Sequence, residues 1–113
     1  MNRLGIIIDI THTHDRLQSD IIDASTKPVV ASHSCTRALN PIPRQMPDSI
    51  IQALAANGGV IAVTFYPGHI SPNHPDTEVT VEDLVDHIDH IAEVAGIDHV
   101  GFGSDFLGSE IHT

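Results

Sequence analysis

Short runs of large β-branched residues alternate along this chain with stretches whose apolar residues recur at helical spacing. That alternation is how a βα repeat around a parallel sheet looks in sequence. Four strands are predicted, over residues 4–10, 29–32, 60–65 and 99–103. Each run is apolar throughout, as expected of strands covered on both faces. Between them, Asp15–Ala24 carries Leu17, Ile21 and Ile22 at helical spacing, and Asp48–Ala56 carries Ile50, Ile51, Leu54 and Ala55. Asn57-Gly58-Gly59 ends the second helix by supplying left-handed conformations. A third helix starts at Thr80, whose Thr-x-x-Asp pattern with Asp83 resembles a capping box. It carries a stripe of Leu84, Val85, Ile88, Ile91, Ala92 and Ala95 and stops at Gly96. The fold class is α/β.

An eight-stranded α/β barrel takes about 250 residues. At 113 residues the chain is a single domain, and anything barrel-like in it is incomplete. Its formal charge is −10, with five Lys and Arg against fifteen Asp and Glu, which leaves no basic stripe for phosphates and argues against nucleic acid. The one cysteine, Cys35, rules out an internal disulfide and any CxxC site, and reads as a semi-buried thiol rather than a nucleophile. No apolar stretch approaches the roughly 18 residues of a membrane helix, and no basic segment with an apolar core follows Met1. The chain reads as soluble, untargeted and cytoplasmic.

Two longer loops, residues 34–47 and 67–80, follow predicted strand ends, where βα barrels assemble their active sites. Polar residues gather at the same ends: His12 after the first strand, His33 after the second, Tyr66 after the third and Asp105 after the fourth. Two imidazoles from adjacent strand ends can converge on one metal, and zinc favours nitrogen ligands. The same two histidines also suit strand-end polar groups bonded to backbone. Asp105 could orient or deprotonate a water, or simply cap a turn among its glycines. Arg44, in the proline-stiffened Pro41-Ile-Pro-Arg-Gln-Met-Pro, could offer its planar fork to a carboxylate or lie solvated. His87 and His90 belong with Glu82, Asp83, Asp86, Asp89 and Glu93 to what reads as a solvated acidic helix face. His14, His69, His74, His99 and His112 read as surface or loop residues. Gly101-Phe-Gly103 lacks the third glycine of a dinucleotide loop.

Taken in order, Ile-Asp-Ile-Thr-His at 8–12, Ser-His-Ser at 32–34, Asn-Gly-Gly-Val at 57–60, Phe65-Tyr66, the 86–96 helix segment and Gly-Phe-Gly-Ser-Asp-Phe at 101–106 resemble the membrane (renal-type) dipeptidases. The resemblance runs through nearly the whole chain. It implies the second half of a TIM (β/α)8 barrel, about four βα units of it, and a zinc-dependent dipeptidase acting through a metal-activated water. Under it, His12 and His33 match two histidines that bind one of two zinc ions. Arg44 matches the arginine that receives the substrate's C-terminal carboxylate, Asp105 the catalytic aspartate, and Tyr66 a tyrosine near the substrate. The family's His-x-Asp pair, bridging Glu and a further substrate-contacting His belong to earlier strands that this sequence does not contain. Gln45 and Leu107 depart from its usual Asn and Asp. A half-barrel exposes two sheet edges, so a homo-oligomer or a complementing missing half is the expected partner, beside a dipeptide substrate. A non-catalytic remnant of the fold and another barrel amidohydrolase are the alternatives.

Overall fold

Val29, Ala31, Ile61 and Val63 are fully buried. The runs that hold them form the middle of a parallel sheet in the computed structural model, which describes residues 1–71 and 78–106. β1 (Val30–Ser34), β2 (Val60–Val63) and β3 (Val100–Phe102) lie in that order. β1 pairs with β2 through Val30–Val60 and Ala31–Ile61, and β2 with β3 through Ile61–Val100 and Ala62–Gly101. The sheet has three strands rather than the four expected. Within residues 4–10 a 3-10 turn, Asn2–Leu4, runs into the start, and only Asp9 bridges in parallel to Val30. Ile10 donates to the Val30 carbonyl at 2.8 Å and Val30 to that of Ile8 at 3.0 Å, so the segment lies where an outer strand would. Ile6 and Ile7 are exposed; without apolar cover on that flank the pairing does not spread.

The helices α1 (Asp15–Ala24) and α2 (Asp48–Ala56) occupy their predicted spans. A short turn of helix, α3 (Pro67–Ile70), replaces part of the predicted second loop, with proline in its first turn. α4 (Val81–Ala95) starts from Thr80, whose side chain forms the full reciprocal capping box with Asp83, and stops at Gly96 with φ 95°. α1 buries Gln18 and Ile22 while Leu17 is exposed. Gln18 belongs inside because its Nε2 donates to the Thr13 carbonyl at 2.9 Å. Val85 is likewise exposed, whereas Ile91 is fully buried and Leu84, Ile88 and Ala95 pack beside it. Among the described residues no helix is long and apolar enough to cross a membrane.

The acidic face of α4 is solvated, but His87 does not share it. Position 87 falls three after Leu84 and four before Ile91, on the apolar stripe, and its side chain is buried. Its Nε2 donates to the Ile70 carbonyl at 2.8 Å and its Nδ1 accepts from Thr36 N–H at 3.2 Å, so it staples α4 to the ends of α3 and β1. His90 donates to Asp48 at 2.8 Å and ties α4 to α2. His99 donates to the Gly59 carbonyl at 2.8 Å, and His14 caps α1 by accepting from Leu17 N–H at 3.2 Å. His74, His112 and Leu107 lie outside the described residues.

β1 is longer than predicted and irregular. Ala31 pairs with Ile61 and Ser34 with Val63, so three residue steps on β1 face two on β2. The extra residue is a bulge at Ser32–His33, and bulges re-aim side chains. The end of β3 fits against it: a Cβ on Gly103 would lie 1.8 Å from the Ser32 carbonyl oxygen and 2.7 Å from the Ala62 Cβ. Glycine is needed there for the close approach of backbone to backbone. Gly103→Ala is therefore expected to cost about 1–3 kcal/mol, the usual range for overpacking, seen as a lower urea midpoint. A midpoint equal to the parent's would contradict the contact.

Candidate active site

Ile10 is fully buried beside β1 and fixes where the chain leaves the sheet. The turn that follows is closed by the Thr13 N–H and hydroxyl, both donating to the Ile10 carbonyl, at 3.3 Å and 2.6 Å. His12 sits in this turn with φ 64°, and Asp105, past the end of β3, has φ 58°. Among the described residues these are the two non-glycine positions of positive φ. Both are residue types that tolerate the left-handed region, and strained backbone of this kind collects at functional sites.

His33 reaches the same place from within β1, at the bulge, rather than from beyond a strand end as expected. Its Nε2 lies 2.9 Å from the Nε2 of His12, with the rings 4.8 Å apart and edge-to-face. Behind it, Nδ1 lies 2.8 Å from the Ser32 hydroxyl, which in turn bonds the Asp9 carboxylate. Asp9 also accepts from Thr11 N–H at 2.9 Å and Ser32 N–H at 3.2 Å. Burial would raise the Asp9 carboxyl, but these bonds from Ser32 and Thr11 more than offset it and hold it below the usual carboxylate range. In sequence Asp9 stands out only as part of the Ile-Asp-Ile-Thr-His motif.

Arg44 donates from Nη2 to the His33 carbonyl at 2.8 Å, so guanidinium and histidine are joined through the backbone. Its Nε and Nη1 are buried with no hydrogen-bond partner among the described residues. Burial pulls the guanidinium below its ordinary pKa, while the charge of nearby Asp105 acts the other way. The loop carrying it is pinned at both ends. Gln45 accepts from Cys35 N–H at 3.1 Å and donates to the His69 carbonyl at 2.6 Å, and Asn40 donates to the same carbonyl at 2.9 Å. Cys35 itself is fully buried, deeper than expected, and burial pushes its thiol up to about 12. It is no nucleophile.

Tyr66 caps the start of α3, three residues beyond β2, with its ring 4.7 Å from that of His69. His69, read from sequence as a loop residue, is the side chain that the sequence reading missed. Burial, together with the Arg44 charge, pushes it down to about 4, and it also feels Asp105, His12 and His33. Its Nδ1 is buried without a partner among the described residues. The available signal was its place one helical turn from Tyr66 in a loop already marked as lying at the mouth. His12, His33, Arg44, Asp105 and His69 thus share one electrostatic neighbourhood, with Tyr66 against its edge.

Two imidazole nitrogens at this separation suit a metal that takes nitrogen at about 2.0–2.1 Å, as zinc does. Catalytic zinc sites use three protein ligands, and among the described residues no group of three His, Cys, Asp or Glu converges. The donors therefore fit part of a zinc site.

Fold and site together define a class: a parallel α/β chain whose polar residues gather at the carboxyl ends of its strands, where such folds hold their active sites. A model of the membrane dipeptidase family, peptidase family M19, matches residues 1–113, and the chain belongs to this family. It is 40% identical over 112 residues to the dipeptidase tcpJ of Claviceps purpurea (strain 20.1), covering 99% of this chain and 26% of that protein. It is 43% identical over 108 residues to the uncharacterized dipeptidase C965.12 of Schizosaccharomyces pombe, covering 96% of this chain and again 26% of that one. A metallopeptidase from Rhodobacter sphaeroides, liganded with a phosphinate mimic of the dipeptide L-Ala-D-Ala, matches the structure with a TM-score of 0.87 at 31% identity. That match covers 96% of this chain and 31% of the other.

The half-buried His69 and the buried His87 set a pH window for stability. Burial lowers both His69 and His87 from 6.5, His69 to about 4. Below pH 6.5 the unfolded chain takes up protons that the folded chain refuses, so stability is full above 6.5 and falls as pH drops towards 4. Asp9 and Asp15 act in the same direction but only below their ordinary 3.8. Urea midpoints are expected to decline across the histidine window. A midpoint that holds or rises there would contradict the burial of these rings.

Proposed function

We propose that this chain is part of the catalytic unit of a zinc-dependent dipeptidase, with its βα units forming one half of a TIM-type barrel. The observation that carries the reading is the convergence of His12 and His33, with their Nε2 atoms 2.9 Å apart. These two would be the chain's zinc ligands. Zinc, when bound, lowers the pKa of water from 15.7 towards about 7 and polarises the carbonyl under attack.

The chain's other residues bind, orient and move a proton. Arg44, with two guanidinium nitrogens unpartnered among the described residues, would receive the C-terminal carboxylate of the dipeptide. Asp105 accepts the proton of the attacking water on a carboxylate oxygen and delivers it to the leaving amine nitrogen as the C–N bond breaks. Tyr66 borders the substrate. The remaining ligands would come from beyond the described residues, on a second copy or a complementing half. The open flanks support this: Ile7 is 70% exposed beyond β1 and Phe102 72% exposed on β3, and unpaired sheet edges are templates for another chain. The lack of a third converging ligand among the described residues favours a second reading, a non-catalytic module of the same fold.

Hydrolysis of free and C-terminally amidated dipeptides, with added zinc and with chelator, separates the two. Chelator-sensitive cleavage that needs the free carboxylate and is lost in His33→Ala is expected. Arg44→Ala should lower kcat/KM by about 10- to 100-fold, since a hydrogen bond to a charged group is worth about 1.5–3 kcal/mol. No hydrolysis under any metal condition would leave only the non-catalytic reading.

A further inference from the structure

The hydrogen bonds behind His33 fix more than its position. An ionised carboxylate only accepts, so the Ser32 hydroxyl must give its single proton to Asp9 Oδ2. Ser32 Oγ then has lone pairs alone to offer its other neighbours. His33 Nδ1, 2.8 Å away, must therefore be the donor in that pair. The Thr11 hydroxyl, 3.4 Å from Ser32 Oγ, can donate to the second lone pair, and it accepts from His33 N–H at 3.4 Å. Asp9 is in turn held by two backbone N–H groups, from Thr11 and Ser32. With Ser32 donating to Asp9, the direction of the His33 Nδ1 bond is the same whichever way the Thr11 hydroxyl turns.

We infer that Asp9, acting through the Ser32 hydroxyl, holds His33 in the tautomer protonated on Nδ1, so that a lone pair on Nε2 faces His12. Neither Asp9 nor Ser32 touches the point where the two Nε2 atoms meet, so both are positioning residues. A serine relay here does what a carboxylate bonded directly to a ligand histidine does elsewhere: it fixes the tautomer and raises the basicity of the far nitrogen. The β1 bulge makes the relay possible, because its extra residue brings the Ser32 side chain and the His33 ring to the same side as Asp9. The consequence for zinc rests on the function proposed above; the tautomer does not.

Long-range proton–nitrogen correlation on the metal-free, nitrogen-15-labelled chain reads the tautomer directly, with His33 assigned by its loss in His33→Gln. At a pH well above the imidazole range, His33 should show a protonated Nδ1 and a bare Nε2. Ser32→Ala should abolish that preference, Ser32→Thr should keep it, and the backbone amide spectrum reports whether each variant folds. A parent chain with His33 protonated on Nε2, or an unchanged tautomer in folded Ser32→Ala, overturns the inference. In zinc titrations, Ser32→Ala and Asp9→Asn should bind about 10- to 100-fold more weakly than the parent, the usual effect of losing such a partner. Unchanged affinity in both would remove their role in presenting the ligand. If the parent shows the expected tautomer yet binds no zinc, the relay stands and the zinc reading fails.

Discussion

The extra residue that β1 carries between Ala31 and Ser34 decides where the polar groups at this end of the sheet point. In a regular strand Ser32 and His33 would face opposite sides. The bulge instead lets Ser32 Oγ and His33 Nδ1 meet, with Ser32 anchored to Asp9 on the neighbouring segment. The carbonyl of His33 is free to accept Arg44, and that of Ser32 lies where only glycine fits at position 103. From Gly103 the chain needs just two more residues to reach Asp105. One irregularity in one strand thus couples three candidate site residues that lie far apart in sequence.

What could be read from the sequence was whatever the chain decides locally. Helices α1, α2 and α4 are set by periodic apolar residues within a few positions and by caps such as Thr80 with Asp83. The grouping of His12, His33, Tyr66 and Asp105 near strand ends followed from the same local order. Long-range events were not readable. Residues 4–10 have the composition of a strand, yet pairing needs cover that Ile6 and Ile7 do not find. Asp9 acquires its role from Ser32, a partner twenty-three residues on, and His69 from charged groups on four other segments, at Arg44, Asp105, His12 and His33. His87 was readable and was misjudged. Its spacing to Leu84 and Ile91 places it on the buried stripe, but the acids around it drew it into the solvated face.

Membership of the membrane dipeptidase family and the geometry of the site support each other from independent directions. The family match covers residues 1–113 without pointing to any side chain. The structure brings two imidazoles, a guanidinium with nitrogens unpartnered among the described residues and a strained aspartate into one neighbourhood without reference to any relative. Among the described residues no third ligand converges, and the sheet is left with exposed apolar residues on both flanks, Ile7 and Phe102.

The central claim is that His12 and His33 hold one metal ion between them. Anomalous diffraction at the zinc absorption edge, from crystals of the chain grown with zinc, tests this without relying on turnover. The account predicts a peak about 2.0–2.1 Å from both Nε2 atoms. A zinc peak bound by neither histidine, or by one with the other ring turned away, would contradict it.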